Sequence, residues 1–182
     1  MSIYFYFLIF SIPLIFISWR TLFNFKTHGF YRYFAWECIL WLALNNYKFW
    51  FIEPSKIYQV FSWLFLIYSG ILILLGLIHL IKFGKPNKSR DEKQLFNLEK
   101  TTKLVKSGIF KYIRHPIYGS LIFLTWGIYL KNPDIVLFVT SILSTILLYI
   151  TSKYDEKECK IYFGIQYEEY IKESKMYIPF IL

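Results

Sequence analysis

Two short stretches of this chain carry side chains that could hold a charged ligand. The first, YIRHPIYGS at 112–120, offers Arg114, His115 and Tyr118. The second lies about forty residues later and contains an acidic pair, Asp155 and Glu156. An arginine grips a carboxylate with two hydrogen bonds, a carboxylate accepts from ammonium or hydroxyl groups, and an aromatic face attracts a cation. Together the two stretches predict a site for a zwitterionic ligand, with aromatic faces for a sulfonium or an adenine ring.

Each of these residues also has an ordinary structural explanation. Arg114 can anchor a helix end on the cytoplasmic side of a membrane, and Tyr118 can belong to an interfacial aromatic belt. The acidic residues are interspersed with Lys153, Lys157 and Lys160, as on an exposed helix face with ion pairs. The joint occurrence of both clusters favours the ligand site, provided that the fold brings them to one membrane face.

The elements that must position these side chains are expected to be membrane helices. Of the 182 residues, 56% are hydrophobic and 23% are aromatic, and the mean hydropathy is +0.40. This composition excludes an ordinary soluble domain, and several runs approach the roughly 20 apolar residues that cross a bilayer. The predicted spans are 2–19, 34–51, 57–81, 117–130 and 135–151, of which 34–51 is the weakest. We therefore predict an all-α integral membrane protein with about five transmembrane helices.

Charge placement predicts how these helices are oriented. The formal net charge is +9, and segment 82–116 alone holds ten Lys/Arg against three Asp/Glu. Basic loops between spans stay on the cytoplasmic side. The prediction therefore places 82–116, loop 20–33 and the tail from 152 inside, and the N-terminus outside, of a cytoplasmic membrane. A basic segment can also bind nucleic acid, but a basic loop between two spans is the commoner pattern, so we expect no nucleic-acid partner.

Proline and the expected turn at 131–134 predict a helical hairpin in the C-terminal half. Pro116 suits the first turn of a helix, where its missing N–H costs nothing, and it favours an extended backbone at the residue before it. A helix over 116–130 would be about 22 Å long, shorter than a bilayer core of about 30 Å. The hairpin 117–151 would bring Arg114 and His115 close to the residues that follow its second helix.

The remaining segments complete a single membrane domain. Three N-terminal helices are expected within 1–81, the basic loop is 82–116, and the tail 152–182 completes the ligand site. An amphipathic stretch within the loop is predicted to lie at the membrane interface, with Leu95, Phe96, Leu98, Leu104 and Val105 as its apolar residues.

Other polar residues carry weaker expectations. His28 is predicted to be a plain loop residue, Glu37 is a candidate intramembrane carboxylate, and His79 could border the site. The two cysteines, Cys38 and Cys159, lie on separate elements and do not indicate a disulfide framework. Since no Cys/His cluster has metal-ligand spacing, we expect no metal.

The C-terminal half resembles a known family. LVKSGIFKYIRHPIYGS, then a hairpin, then DEKECKIYFGIQYEEY, is similar to the isoprenylcysteine carboxyl methyltransferase family and its bacterial relatives, a superfamily that includes phospholipid methyltransferases. The shared pattern is Arg-His-Pro-x-Tyr, a hairpin, an acidic pair and Phe/Tyr-Gly-x-x-Tyr-x-x-Tyr. It falls here on 114–118, on Asp155 and Glu156, and on 163–170, within a resemblance that covers about 95–182.

The resemblance implies S-adenosylmethionine as cofactor and methyl transfer to a lipophilic acceptor that comes from the bilayer. It implies Arg114 and Glu156 as the catalytic residues. The cofactor-binding residues that it implies, from the motif and the loop before it, are Gly108, Tyr112, His115, Tyr118, Asp155, Glu156 and Tyr167. A carboxylate acceptor is favoured, because it needs no general base and none is evident.

Three other functions stay open on the sequence. An NADPH-dependent reductase of the sterol-reductase type has a similar His-Pro-x-Tyr region, but the chain is short and lacks a glycine-rich dinucleotide motif. A membrane accessory protein without catalytic activity is the second alternative. A transporter is the least favoured, because the central helices show no paired breaks and no midplane charge cluster.

Overall fold

The computed structural model describes residues 2–87, 95–97 and 99–181, and in these ranges the chain forms six α-helices and no β-strand. The helices are α1 (Ile3–Ser18), α2 (His28–Asn46), α3 (Ile57–Gly84), α4 (Pro116–Tyr129), α5 (Ile135–Phe163) and α6 (Ile165–Glu173). Short 3-10 turns follow α2 at Tyr47–Phe49 and precede α4 at Gly108–Lys111. The expectation of an all-α protein is confirmed.

Local sequence explains where the two hairpin helices begin and end. Pro116 occupies the first turn of α4, as predicted, and His115 before it is non-helical. The carboxylate of Asp134 caps α5 by accepting hydrogen bonds from the backbone N–H groups of Val136 (2.8 Å) and Leu137 (3.4 Å). Gly164 ends α5 with a φ of +60°, a conformation that favours glycine, and α6 starts immediately after it.

Two helices, α3 and α5, are long and apolar enough to cross a membrane. They have 28 and 29 residues, so each is more than 40 Å long at about 1.5 Å per residue. α1 is apolar but has only 16 residues, and α4 has 14. The fuller topology of five spans, with the N-terminus outside, stays a prediction.

The helices pack in pairs that hold the hairpin in place. α3 lies along α4, α2 lies along α5, and α1 covers α2. Small and hydroxyl residues let α3 and α4 approach closely, because Ser62 donates to the carbonyl of Gly127 (2.6 Å) and Ser69 to that of Ser120 (2.7 Å). A buried cluster of Ile39, Leu42, Ile128 and Leu137 joins α2 to both helices of the hairpin.

Three boundaries differ from those expected. α2 begins at His28, so residues 28–33 are helical instead of belonging to a loop. α5 runs to Phe163 instead of ending at 151, because its later polar residues find ion-pair partners in the protein. The stretch at 95–105 is not helical in its described part, and Leu95 and Val105 are buried in the protein; Leu98 lies outside the described residues.

A glycine pair tests the α3–α4 contact. In Gly127→Ala the new Cβ would lie 2.8 Å from Leu66 Cδ2 and 3.2 Å from the Leu66 backbone nitrogen, so we expect a loss of about 1–3 kcal/mol of stability from overpacking. The matched control is Gly70→Ala on α3, where a Cβ meets nothing within 4 Å. Thermal unfolding in detergent should show a lower Tm for Gly127→Ala alone, and equal Tm values would contradict this packing.

Candidate functional site

The segment that precedes α4 is held in place by the end of the chain. The backbone N–H groups of Arg114 and His115 donate to the carbonyls of Lys175 (2.8 Å) and Met176 (3.1 Å), and the N–H of Lys175 donates back to Tyr112 (3.0 Å). We call residues 174–178 the C-terminal strap. The Tyr170 hydroxyl adds a bond to the carbonyl of Phe110 (2.6 Å). These bonds fix the direction in which Arg114 and His115 project.

A carboxylate on α5, that of Glu156, lies at the centre of the charged cluster. Arg114 Nε donates to Glu156 Oε1 at 2.6 Å, and Lys153 Nζ lies 2.9 Å from Oε2. His115 Nε2 is 3.4 Å from Oε1. Arg114 also donates through a terminal nitrogen to the carbonyl of Ser174 (2.8 Å). The hairpin therefore brings the two predicted clusters together, and the strap closes around them.

His115 is buried between two carboxylates. Its Nδ1 is 3.4 Å from Asp155 Oδ2, and its Nε2 is 3.4 Å from Glu156 Oε1. Burial lowers the pKa of the imidazole, but the close carboxylates of Asp155 and Glu156 outweigh burial and raise the pKa above its usual range. The Nε2 contact with Glu156 falls within ion-pair distance without hydrogen-bond geometry. A charged His115 thus keeps one buried N–H donor without a hydrogen-bond partner.

A cavity opens beside this cluster. Its space, including the open solvent at its mouth, is about 790 Å³. Its lining residues are of two chemical kinds. The polar and aromatic ones, called the polar wall below, include Arg114, His115, Tyr118, Asp155, Tyr167 and Tyr170, and the apolar ones, called the apolar wall, include Leu80, Leu95, Leu104, Val105 and Ile117. Such a cavity can take a ligand with one charged part and one apolar or aromatic part.

Helix α2 supports this site from outside the cavity, which the sequence did not reveal. His28, expected in a loop, starts α2 and is buried; its Nδ1 contacts Glu158 on α5 (2.8 Å). Arg32 is buried too, and its guanidinium donates to Glu99, which lines the cavity.

Two aromatic rings lie near the Arg32 guanidinium. The guanidinium carbon lies 5.0 Å from the Trp36 ring centre and 4.3 Å from that of Phe96, distances at which cation–π attraction acts. Phe96 and the cavity-lining Glu99 are thereby fixed to α2. The four-residue spacing of 28, 32 and 36 on one helix face was the signal available in the sequence.

Several other residues singled out from the sequence do not line the cavity. Tyr112 is 45% exposed and packs near Phe180, outside the cavity, because the neighbouring Ile113 takes the buried side. Gly108 lies against the His79 ring, and neither residue lines the cavity. Glu156 lies behind Arg114 and His115 and does not line it. Glu37 accepts a hydrogen bond from Ser11 (2.6 Å) and joins α1 to α2.

One group of side chains has the composition of a metal site. Ligand atoms of His28, Asp155 and Glu158 all lie within 4.8 Å of one another. Ion pairs already account for this closeness, since His28 bonds to Glu158 through both its backbone nitrogen (3.0 Å) and its ring (2.8 Å). The expectation of a protein without a metal stays a prediction.

Two helices of membrane-spanning length and a charged cavity beside a helical hairpin indicate a membrane protein with a ligand site, and comparison with known families identifies the family. Residues 64–164, more than half of the chain, match the family described as phospholipid methyltransferase. The chain belongs to this family, which confirms the resemblance found in its motifs. Curated proteins and solved structures gave no significant match. The family and the two spanning helices make the chain a membrane protein and a methyltransferase.

The contact between Arg32 and Glu99 leads to a prediction on stability and pH. Burial alone would raise the pKa of Glu99, but the charge of Arg32 and the hydrogen bond with His28 lower it to about 2. A lowered pKa stabilises the fold fully above the unfolded value near 4.5 and progressively less as the pH falls towards 2. Glu99→Gln should lower the free energy of unfolding by about 3 kcal/mol near neutral pH. The difference in unfolding free energy between this variant and wild type should shrink below pH 4.5.

The control for this measurement is Glu53→Gln, which removes an exposed carboxylate paired with Lys56 at 2.6 Å. Exposed pairs contribute little, so the Tm of this variant should match that of wild type at every pH. A Glu99→Gln variant as stable as wild type at pH 7 would show that the pair does not hold the cavity wall.

Proposed function

We propose that the protein is an S-adenosylmethionine-dependent methyltransferase whose cofactor occupies the cavity beside His115. The observation that carries this proposal is the polar wall of that cavity, in a chain that belongs to a methyltransferase family. The residues fit a zwitterionic sulfonium ligand. His115 and the negatively charged Asp155 line the cavity, and Tyr118 and Tyr167 offer aromatic faces.

The cofactor supplies a methyl group that is already activated, so the protein's part is to position the partners and exclude water. His115, Asp155, Tyr118 and Tyr167 would hold the cofactor. We assign Arg114 and Glu156 a different part from the one that the resemblance implies. They are engaged with each other, and Arg114 is also engaged with the strap, so they act as positioning residues that orient His115.

The acceptor that we propose is a lipophilic or lipidated molecule from the bilayer, methylated on a carboxylate. The apolar wall, with Leu80, Leu104 and Ile117, suits a lipophilic chain. An ammonium acceptor would need a base, yet the two carboxylates that line the cavity are already paired, Asp155 with His115 and Glu99 with Arg32. A carboxylate acceptor is nucleophilic as it stands and needs no base.

The proposed location is the cytoplasmic membrane, with several spans and the cavity on the cytoplasmic side. The excess of basic residues at 82–116 supports this orientation. The cofactor would then enter from the cytoplasm and the acceptor from the bilayer.

Cofactor binding can be measured on the purified protein. S-adenosylmethionine or S-adenosylhomocysteine, at about 100 times its Kd, should stabilise the wild type by about 2.7 kcal/mol, and NADPH should leave the Tm unchanged. Asp155→Asn should weaken S-adenosylhomocysteine binding about tenfold, because a charged partner is lost from the cavity wall. The matched control, Glu169→Gln, removes an exposed carboxylate of α6 and should bind like wild type.

The outcomes of this titration separate the alternatives. Stabilisation by NADPH alone would favour the reductase, and no stabilisation by any of the three would favour an accessory protein. Equal binding by Asp155→Asn and wild type would show that the cofactor does not bind in this cavity.

The acceptor atom can be read from the chemistry of the product. Membrane extracts incubated with the enzyme and methyl-labelled S-adenosylmethionine should yield a lipid-soluble product whose label is released as methanol by mild alkali, because a methyl ester hydrolyses readily. The control is the same reaction with Asp155→Asn, which should incorporate less label. A label that resists alkali would be an N-methyl or S-methyl group and would overturn the carboxylate assignment while leaving the methyltransferase proposal in place.

A further inference from the structure

A second groove lies along the C-terminal strap, and it shares only Arg114 with the cavity described above. Its space, including the open mouth, is about 810 Å³. Its walls come from α5 and from the chain after residue 170. The residues that matter here are Arg114, Tyr149, Lys153, Lys172, Lys175 and Ile181.

The groove carries an excess of positive charge. Arg114 and Lys153 share one carboxylate, that of Glu156. Lys172 and Lys175 are exposed, and in the described part of the chain neither lies within ion-pair distance of a carboxylate. Glu173 is the one acidic residue among those that line the groove. The groove therefore attracts an anion more strongly than a cation or a zwitterion.

Exposed apolar residues lie immediately beside these lysines. Tyr149 and Ile146 on the membrane-spanning helix α5 are about half exposed, and Phe180 and Ile181 after the strap are 81% and 74% exposed. In a membrane protein such residues face acyl chains, and lysines at the end of a span lie at headgroup depth. The groove thus combines a basic site at the membrane surface with apolar contacts below it.

We propose that this groove binds the phosphate of an anionic phospholipid of the surrounding membrane, with Lys172, Lys175 and Lys153 around the headgroup and Tyr149 and Ile181 against the acyl chains. The lipid is distinct from the methyl acceptor, because its site lies outside the cavity. It would hold the strap against α5, and the strap in turn carries the backbone of Arg114 and His115. The proposal stands without the proposed methyl transfer.

Native mass spectrometry of the detergent-purified protein, titrated with phosphatidylglycerol or phosphatidylcholine, tests this site. Wild type should retain phosphatidylglycerol in preference to phosphatidylcholine, and less of it as salt is raised. Lys172→Gln/Lys175→Gln should bind phosphatidylglycerol about tenfold more weakly. The matched control is Lys157→Gln/Lys160→Gln, which removes the same charge from exposed positions outside the groove and should bind like wild type.

Folding and the nature of the anion are tested in the same preparations. All four substituted lysines are exposed, so the Tm without lipid should be the same in wild type and both variants. Phosphatidylglycerol should raise the Tm of wild type and of the control pair only. Equal loss of binding in both variants would mean non-specific attraction and overturn the proposal. Equal stabilisation by inorganic phosphate would also overturn it, because the site would then recognise a free anion instead of a lipid.

Discussion

The buried carboxylate of Glu156 is the interaction on which the arrangement of the site depends. It is only 8% exposed and lies within 4 Å of side-chain nitrogens of Arg114, His115 and Lys153. A buried charge costs several kcal/mol unless it is paired and hydrogen-bonded. Glu156 on α5 can therefore be buried only where the segment before α4 contacts it. Because Arg114 also donates to Ser174, the same pairing fixes the strap.

The charges around this centre join parts of the chain that are far apart in sequence. His28 and Arg32 on α2 pair with Glu158 and Glu99, and Arg32 also contacts two aromatic rings. The family match begins at residue 64, so α2, which supports the cavity-lining Glu99 through Arg32, lies outside the matched region. The cavity is lined by both ionic and apolar side chains, and this combination supports a charged cofactor beside a lipophilic acceptor.

The sequence predicted the half of the site that local rules control. Pro116 fixed the start of α4, and the turn before Asp134 fixed the hairpin, so the meeting of Arg114 and His115 with Asp155 and Glu156 could be foreseen. The end of α5 could not be predicted, because its polar last turns are stabilised by partners from other segments. The burial of His28 and Arg32 depends on ion pairs with residues 67 to 130 positions away. Their four-residue spacing places them on one helix face, but it does not identify these distant partners.

The central claim is that S-adenosylmethionine occupies the cavity beside His115. It is tested most directly by ultraviolet cross-linking of methyl-labelled S-adenosylmethionine to the purified protein, followed by peptide mapping. The account predicts label on peptides that contain Tyr118, Tyr167 or Tyr170, the tyrosines of the cavity, and loss of that label with excess S-adenosylhomocysteine. Competed label confined to other peptides, or label that the competitor does not remove, would contradict it.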